Sequence, residues 1–146
     1  MSERVVVRQD NQFRTLVLSA DPEDIHSHTL EAVEDIHQLT PYGMLLSSLG
    51  SCTALVLHTY AQNHNIPLIE VEISLEYERV FREDCEDCDE ASEYEEEIHE
   101  KLDLTGEISP AEREKLVRVA HYCPIYKMLL NGIRVSTQLA QDGSKG

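Results

Sequence analysis

The strongest constraint on the fold is a long apolar segment without proline, which extends from Tyr42 to about Asn63. Its large apolar side chains recur at helical spacings around most of the circumference, and a helix with that pattern is buried. A chain of 146 residues has little other material with which to surround such a helix. We therefore expect a single domain over residues 1–140, a polar tail over residues 141–146, and a second copy of the chain to cover the helix.

Charge and composition exclude several classes of function. The 28 acidic residues outnumber the 12 Lys and Arg residues and give a net charge of −16, which argues against binding to nucleic acid. The apolar stretch from 44 to 60 is interrupted by Ser and Gly and is expected to fall short of a bilayer span. The first residues lack the apolar core of a signal peptide. We expect a cytoplasmic protein without a membrane partner, in which the four Cys residues stay reduced.

Outside the long helix, the pattern predicts short strands and two further helices. Six strands are predicted, at residues 5–7, 13–18, 28–33, 69–77, about 94–104 and 133–139. The fourth is the clearest, because Ile69, Val71, Ile73, Leu75 and Tyr77 alternate with polar residues. Ser109 and Glu112 form a capping box for a second helix, and Pro124 begins a third that Gly132 closes. The order βββ-α-ββ-αα-β predicts an α+β fold with segregated sheets.

Cys123 is the first candidate for chemistry, because it occupies the N-cap of the third helix. Unpaired N–H groups and the helix dipole at that position stabilise a thiolate and lower the pKa of a thiol. The alternative is an inert, buried thiol. Cys52 lies in the small-residue part of the long helix, Gly50-Ser51-Cys52-Thr53, where a substrate or another backbone can approach closely. Taken alone, Cys52 is more typical of a packing residue.

Cys85 and Cys88 form a C-x-x-C in the acidic stretch 83–100, where 11 of 18 residues are Asp or Glu. A redox pair and half of a zinc site both remain open, and the surrounding carboxylates disfavour a fast thiolate nucleophile. The seven His residues do not cluster in the sequence. Phosphate-loop and dinucleotide fingerprints are missing from the sequence, and we expect no cofactor. We also expect no metal at Cys52 and Cys123.

Two segments carry a resemblance to a known family. The sequence TPYGMLLSSLGSCTA (residues 40–54) resembles the central-helix motif of the OsmC/Ohr family, the osmotically inducible and organic hydroperoxide resistance proteins. The later segment EREKLVRVAHYCPI (residues 112–125) is similar to the second cysteine segment of that family. The elements from about Phe13 to Leu139 follow in the order the family shows.

The resemblance implies a fold, an assembly and an activity. It implies antiparallel sheets around a long buried central helix, in an intertwined homodimer. It implies a thiol peroxidase in which Cys52 attacks an organic hydroperoxide and becomes a sulfenic acid. Cys123 would then resolve it to a disulfide, which a dithiol reductant would open. Hydrogen peroxide would be a poorer substrate.

The sequence departs from the family at the start of the long helix. Tyr42 and Gly43 stand where branches of the family carry a Glu that pairs with an activating Arg. Arg8 and Arg14 are both candidates for that Arg. These departures leave two alternatives to the peroxidase: a non-enzymatic redox sensor or binding protein for a hydrophobic small molecule, and a zinc-binding structural protein that uses Cys85 and Cys88.

Overall fold

The computed structural model describes residues 2–20, 29–81 and 94–141, and these form one antiparallel sheet with three helices. The sheet has the order β3-β2-β1-β4-β5. The strands are β1 (Ser2–Asp10), β2 (Thr15–Ala20), β3 (Leu30–Ala32), β4 (Leu68–Phe81) and β5 (Tyr94–Gly106). The helices are α1 (Pro41–Asn63), α2 (Pro110–Ala120) and α3 (Pro124–Asn131), with a 3-10 turn at Ile36–Gln38 before α1. The predicted α+β class is confirmed, with a single sheet in place of segregated ones.

The first five predicted strands all form, with shifted boundaries. The fourth contains one error, because Ile69 was expected on the buried face and is 53% exposed, whereas Leu68 is buried. The pairing of β4 with β5 shifts register between Leu68 and Glu70. A bulge inserts an extra residue and exchanges the faces on either side of it. From Val71 onward the predicted alternation holds, and Val71, Ile73, Leu75 and Tyr77 are buried.

The helix α1 lies across the inner face of the sheet and supplies much of the core. Thr40 caps it by accepting a hydrogen bond from the Gly43 N–H, and Pro41 begins its first turn. Leu46, Leu49 and Leu57 are buried in the same cluster as the inward-facing residues of β1 and β4. The described residues leave the rest of the circumference uncovered: Leu45 and Leu55 are 38% and 48% exposed.

The apolar stretch was expected to be too short to span a bilayer, and the length and composition of α1 differ from that expectation. Its 23 residues would suffice, by those two measures alone, to cross a bilayer. The helix packs along its length against β1, β4 and α2, however. It is the core helix of this domain.

The elements that follow β5 agree with the sequence up to Gly132. Ser109 and Glu112 form the predicted capping box of α2, and α3 begins at Pro124 as expected. The predicted strand at 133–139 is wrong, because residues 132–141 form no helix or strand and the side chain of Val135 is 78% exposed. Alternating side chains make a strand only where a neighbouring strand accepts the backbone hydrogen bonds. None of the described strands lies alongside this segment.

Gly50 sets how closely α1 approaches the sheet, and this gives a test of the packing. A Cβ at this position would lie 2.7 Å from both Leu75 Cδ1 and Val7 Cγ2. Alanine favours a helix over glycine by about 1 kcal/mol, but forcing a methyl group into a packed core costs about 1–3 kcal/mol. We expect Gly50→Ala to lower the free energy of unfolding, measured by urea denaturation. The exposed Thr59→Ala in the same helix is the control, and an equal or higher stability for Gly50→Ala would contradict the close approach.

Candidate functional site

The two cysteines that the sequence singles out lie side by side in the structure. Cys52 is in the middle of α1, and Cys123 lies 71 positions later at the N-cap of α3. The two thiols are close enough to hydrogen-bond to each other. Cys123 is completely buried, whereas Cys52 is partly accessible. The packing of α2 and α3 on α1 brings them together, through buried residues such as Leu116 and Val119.

The N-terminus of α3 acts on the Cys52 sulfur and not on the sulfur of its own N-cap residue, Cys123. Cys123 makes no side-chain capping hydrogen bond. The backbone N–H of Ile125, in the first turn of α3, acts on the Cys52 sulfur and lowers the pKa of that thiol. The physical argument from the sequence, that a helix N-terminus favours a thiolate, therefore applies to Cys52.

Opposing effects act on the pKa of Cys52, and the net result is a pKa above the ordinary value of a thiol. Burial contributes most, since it disfavours the charged thiolate. The hydrogen bond with Cys123 raises the pKa further, and the Ile125 N–H lowers it. Within the described part of the chain, no arginine or lysine contributes to the shift.

Neither arginine proposed from the sequence lies near the thiols. Arg8 pairs with Glu72 at 2.6 Å on the outer face of the sheet, because it alternates with the buried Val7. Arg14 pairs with Asp10 at 2.7 Å in the turn after β1. Both are therefore held away from the face on which α1 packs.

A third arginine, which the sequence analysis missed, reaches the start of α1. The Arg79 guanidinium donates to the Tyr42 hydroxyl at 3.3 Å and to the Tyr77 hydroxyl at 3.2 Å, and it lies 3.6 Å from the Glu96 carboxylate. The rings of Tyr42 and Tyr77 stack with their centroids 4.6 Å apart. Tyr42 thus interacts with an arginine from the position where branches of the family that the sequence resembles carry a glutamate.

An apolar pocket of about 360 Å³ lies between α1, β5 and α3. We call it the α1–α3 pocket, and its lining consists of Tyr42, Leu45, Leu49, Tyr77, Glu96, Ile98, Glu100, Tyr126, Leu129 and Leu130. Its walls are largely aliphatic and aromatic, and its size falls in the range of small-molecule sites. Leu45, Leu49 and Cys52 follow at i, i+4 and i+7, so the pocket and the thiol share one side of α1.

Two carboxylates enter this pocket from β5, and sequence periodicity contained the signal for them. Ile98, Leu102 and Leu104 are apolar residues at even-numbered positions, and Glu96 and Glu100 lie in the same alternating series. Glu100 lies 3.5 Å from the Thr53 hydroxyl, which is next to Cys52 in the chain. Burial raises the pKa of the Glu100 carboxyl, and the contact with Thr53 partly opposes this.

A possible set of metal ligands lies on the other face of the sheet. Glu78, Glu97 and His99 bring their ligand atoms within 4.8 Å of one another, with His99 Nε2 3.2 Å from Glu97 and 3.5 Å from Glu78. These side chains are partly or largely exposed, and acidic groups on a solvated hairpin are common without an ion. Cys85, Cys88, His26 and His28 lie outside the described residues.

Comparison with known proteins places the chain in a family. The family model for OsmC-like protein matches residues 34–138, which include α1, both cysteines and the pocket. The chain belongs to the OsmC-like family. A comparison with curated proteins found no match.

A solved structure supports the OsmC-like fold over nearly the whole chain. The protein is an OsmC-like hydroperoxide resistance protein from Jannaschia sp. CCS1, with a TM-score of 0.57. The alignment covers 97% of this chain and 96% of that chain at 12% identity. At this identity the likeness concerns the fold of this OsmC-like protein alone.

The contact between the thiols predicts how this OsmC-like protein reacts with alkylating agents. Cys123→Ala removes a hydrogen bond and a nearby ionisable group, both of which raise the pKa of Cys52. We expect the pH at which Cys52 becomes half-reactive with iodoacetamide, followed by mass spectrometry of its peptide, to fall in this variant. Cys123→Ser retains a hydrogen-bonding group and should show a smaller change. An unchanged Cys52 titration in Cys123→Ala would mean that the two thiols do not interact.

Proposed function

We propose that this protein is a thiol-dependent peroxidase that reduces organic hydroperoxides through Cys52 and Cys123. The observation that carries the proposal is the contact between these two side chains, one accessible and one buried, with the Ile125 N–H on the sulfur of the accessible one. An apolar pocket on the same side of α1 as Cys52 suits the organic part of such a substrate. The peroxide-related role of the family is consistent with this chemistry.

In this mechanism the Cys52 thiolate attacks the terminal oxygen of the hydroperoxide. The sulfur–oxygen bond forms as the O–O bond breaks, and the alkoxide leaves and takes a proton to become the alcohol. The Cys123 thiol then attacks the Cys52 sulfenic acid, which releases water and forms a disulfide. A dithiol reductant returns both thiols by exchange. The Ile125 N–H stabilises the attacking thiolate, and Ile125 is only two residues after the resolving Cys123 in the chain.

The first test is consumption of cumene hydroperoxide with a dithiol reductant. We expect Cys52→Ser to reduce turnover to the rate without protein, because serine offers no thiolate. We expect Cys123→Ser to retain one round of oxidation, with a Cys52 sulfenic acid that dimedone traps. Wild-type protein treated with one equivalent of hydroperoxide should contain a Cys52–Cys123 disulfide, which peptide mapping detects. Full turnover in Cys52→Ser would contradict the proposal, and Cys85→Ser with Cys88→Ser is the matched cysteine control.

One observation favours a second candidate, a redox sensor or a binding protein for hydrophobic small molecules. The raised pKa of Cys52 means that less thiolate is present at neutral pH, which slows oxidation. Tyr42 stands at the start of α1 in place of the Glu that branches of the family carry. A protein of this kind would bind cumyl alcohol in the α1–α3 pocket and show no turnover of the hydroperoxide.

We also propose that the protein acts as a homodimer in the cytoplasm, without a membrane or nucleic-acid partner. Apolar side chains are exposed along α1, at the end of α3 and along residues 133–139. Exposed apolar surface on this scale is typical of an interface. The alternating segment 133–139 would find in a second copy the strand partner that its own chain does not supply among the described residues.

The dimer proposal predicts the effect of a charge in this segment. Ile133, Val135 and Leu139 lie at odd positions, so a strand at 133–139 would bury them on one face. We expect Val135→Asp to shift the mass in solution from two chains to one, measured by light scattering after size exclusion. Ser136→Asp, on the opposite face, adds the same charge and should stay dimeric. A wild-type mass of one chain would overturn the assembly.

A further inference from the structure

Glu100 is an ionisable group in a position that the fold assigns to an apolar residue. On β5 it lies between Ile98 and Leu102 in the series that faces the helices. It is paired in register with Leu75, which is completely buried. Burying a carboxylate is unfavourable unless hydrogen bonds or an opposite charge compensate it. A carboxylate retained here therefore indicates a role other than packing.

Among the described residues, the surroundings of Glu100 leave its charge uncompensated. The hydrogen-bond contact that they provide is with the Thr53 hydroxyl at 3.5 Å, and none of their cations contributes to its pKa. Glu96, four residues earlier, differs in this respect. It accepts from the Tyr77 hydroxyl at 2.8 Å and lies 3.6 Å from the Arg79 guanidinium. Of the two carboxylates of the α1–α3 pocket, the charge of Glu96 is thus compensated by its neighbours and that of Glu100 is not.

Glu100 lies at the end of the pocket nearer to Cys52 along α1. Thr53, which touches Glu100, is next to Cys52, whereas Tyr42 and Arg79 lie at the other end, near the start of α1. Tyr126 lines the pocket from α3, whose first turn binds the Cys52 sulfur through Ile125. Of the two pocket carboxylates, Glu100 is therefore the one on the Cys52 side, from which the organic group of a substrate at Cys52 would enter the pocket.

We propose that Glu100 selects the substrate by charge, so that the pocket accepts hydroperoxides with an uncharged organic part and rejects those that carry a carboxylate. This inference rests on the proposed peroxidase function. Two carboxylates about 6 Å apart repel each other enough, at the effective dielectric of a protein surface, to weaken binding by about 10- to 100-fold. The net charge of −16 acts in the same direction on any anionic substrate that approaches.

The test compares two substrates of nearly equal shape: cumene hydroperoxide with a para-carboxylate, and its methyl ester. At pH 8, well above the ordinary pKa of a carboxyl group, we expect the kcat/KM for the ester to be at least about tenfold higher than that for the acid. Glu100→Gln keeps the size and hydrogen bonding of the side chain and removes its charge. We expect this variant to raise the ratio of kcat/KM for the acid to kcat/KM for the ester by about tenfold or more.

Glu97→Gln is the matched control, because it makes the same change in net charge on the opposite face of β5. It should leave the ratio of acid to ester as in the wild type. An unchanged ratio in Glu100→Gln, or an equal change in Glu97→Gln, would overturn the proposal.

Measurements of binding test the role of Glu100 separately from the proposed peroxidase activity. The corresponding carboxylate and ester alcohols cannot oxidise a thiol, and their affinities can be measured by calorimetry. A preference for the ester alcohol that Glu100→Gln removes would support selection by Glu100 even in a protein without peroxidase turnover. Equal affinities for the two alcohols in the wild type would overturn it, whatever the turnover.

Discussion

The packing of α1 against the inner face of the sheet determines where every part of the site lies. Gly50 allows the helix to approach Leu75 and Val7 closely, and the buried His58 fixes it to β1, since its Nε2 lies 2.9 Å from the Gln9 carbonyl oxygen. The carbonyl can only accept, so Nε2 carries the proton. With one side of α1 fixed in this way, Cys52 is turned toward α2 and α3, and Leu45 and Leu49 are turned toward the pocket.

The same burial that builds the pocket works against the thiolate that would use it. Burial raises the pKa of both Cys52 and Glu100, because each would place a charge in an apolar environment. The Ile125 N–H partly compensates the sulfur, and the Thr53 hydroxyl partly compensates the carboxylate. A site of this kind favours an apolar ligand at the expense of thiolate reactivity.

The sequence predicted the elements well where local signals were strong. The proline and capping residues gave the starts of α2 and α3, and the alternation of β4 gave its buried face from Val71 onward. Ile69 was assigned to the wrong face of β4 because the alternation of apolar residues does not reveal a bulge. The segment 133–139 was misplaced because alternation records a strand's faces but not whether a partner strand is present.

The candidate site was predictable in its residues but not in its electrostatics. The two cysteine segments identified Cys52 and Cys123, and the helix N-terminus was correctly located at 123–124. Which thiol it acts on depends on the angle between α1 and α3, and a sequence does not specify that angle. Arg79 could not be found either, because its contact with Tyr42 joins residues 37 positions apart.

The exposed surface connects the assembly to the pocket. Leu129 and Leu130 line the α1–α3 pocket and are also 43% and 67% exposed, so its wall on the α3 side is open to water. Leu45 lines the same pocket and belongs to the exposed side of α1. A second copy that covered these residues would bury apolar area at the interface and, at the same time, remove water from the pocket. Loss of that water strengthens electrostatic interactions inside a site. The Ile125 N–H would then stabilise a Cys52 thiolate more, and Glu100 would repel an anion more, in the assembled protein than in a single chain.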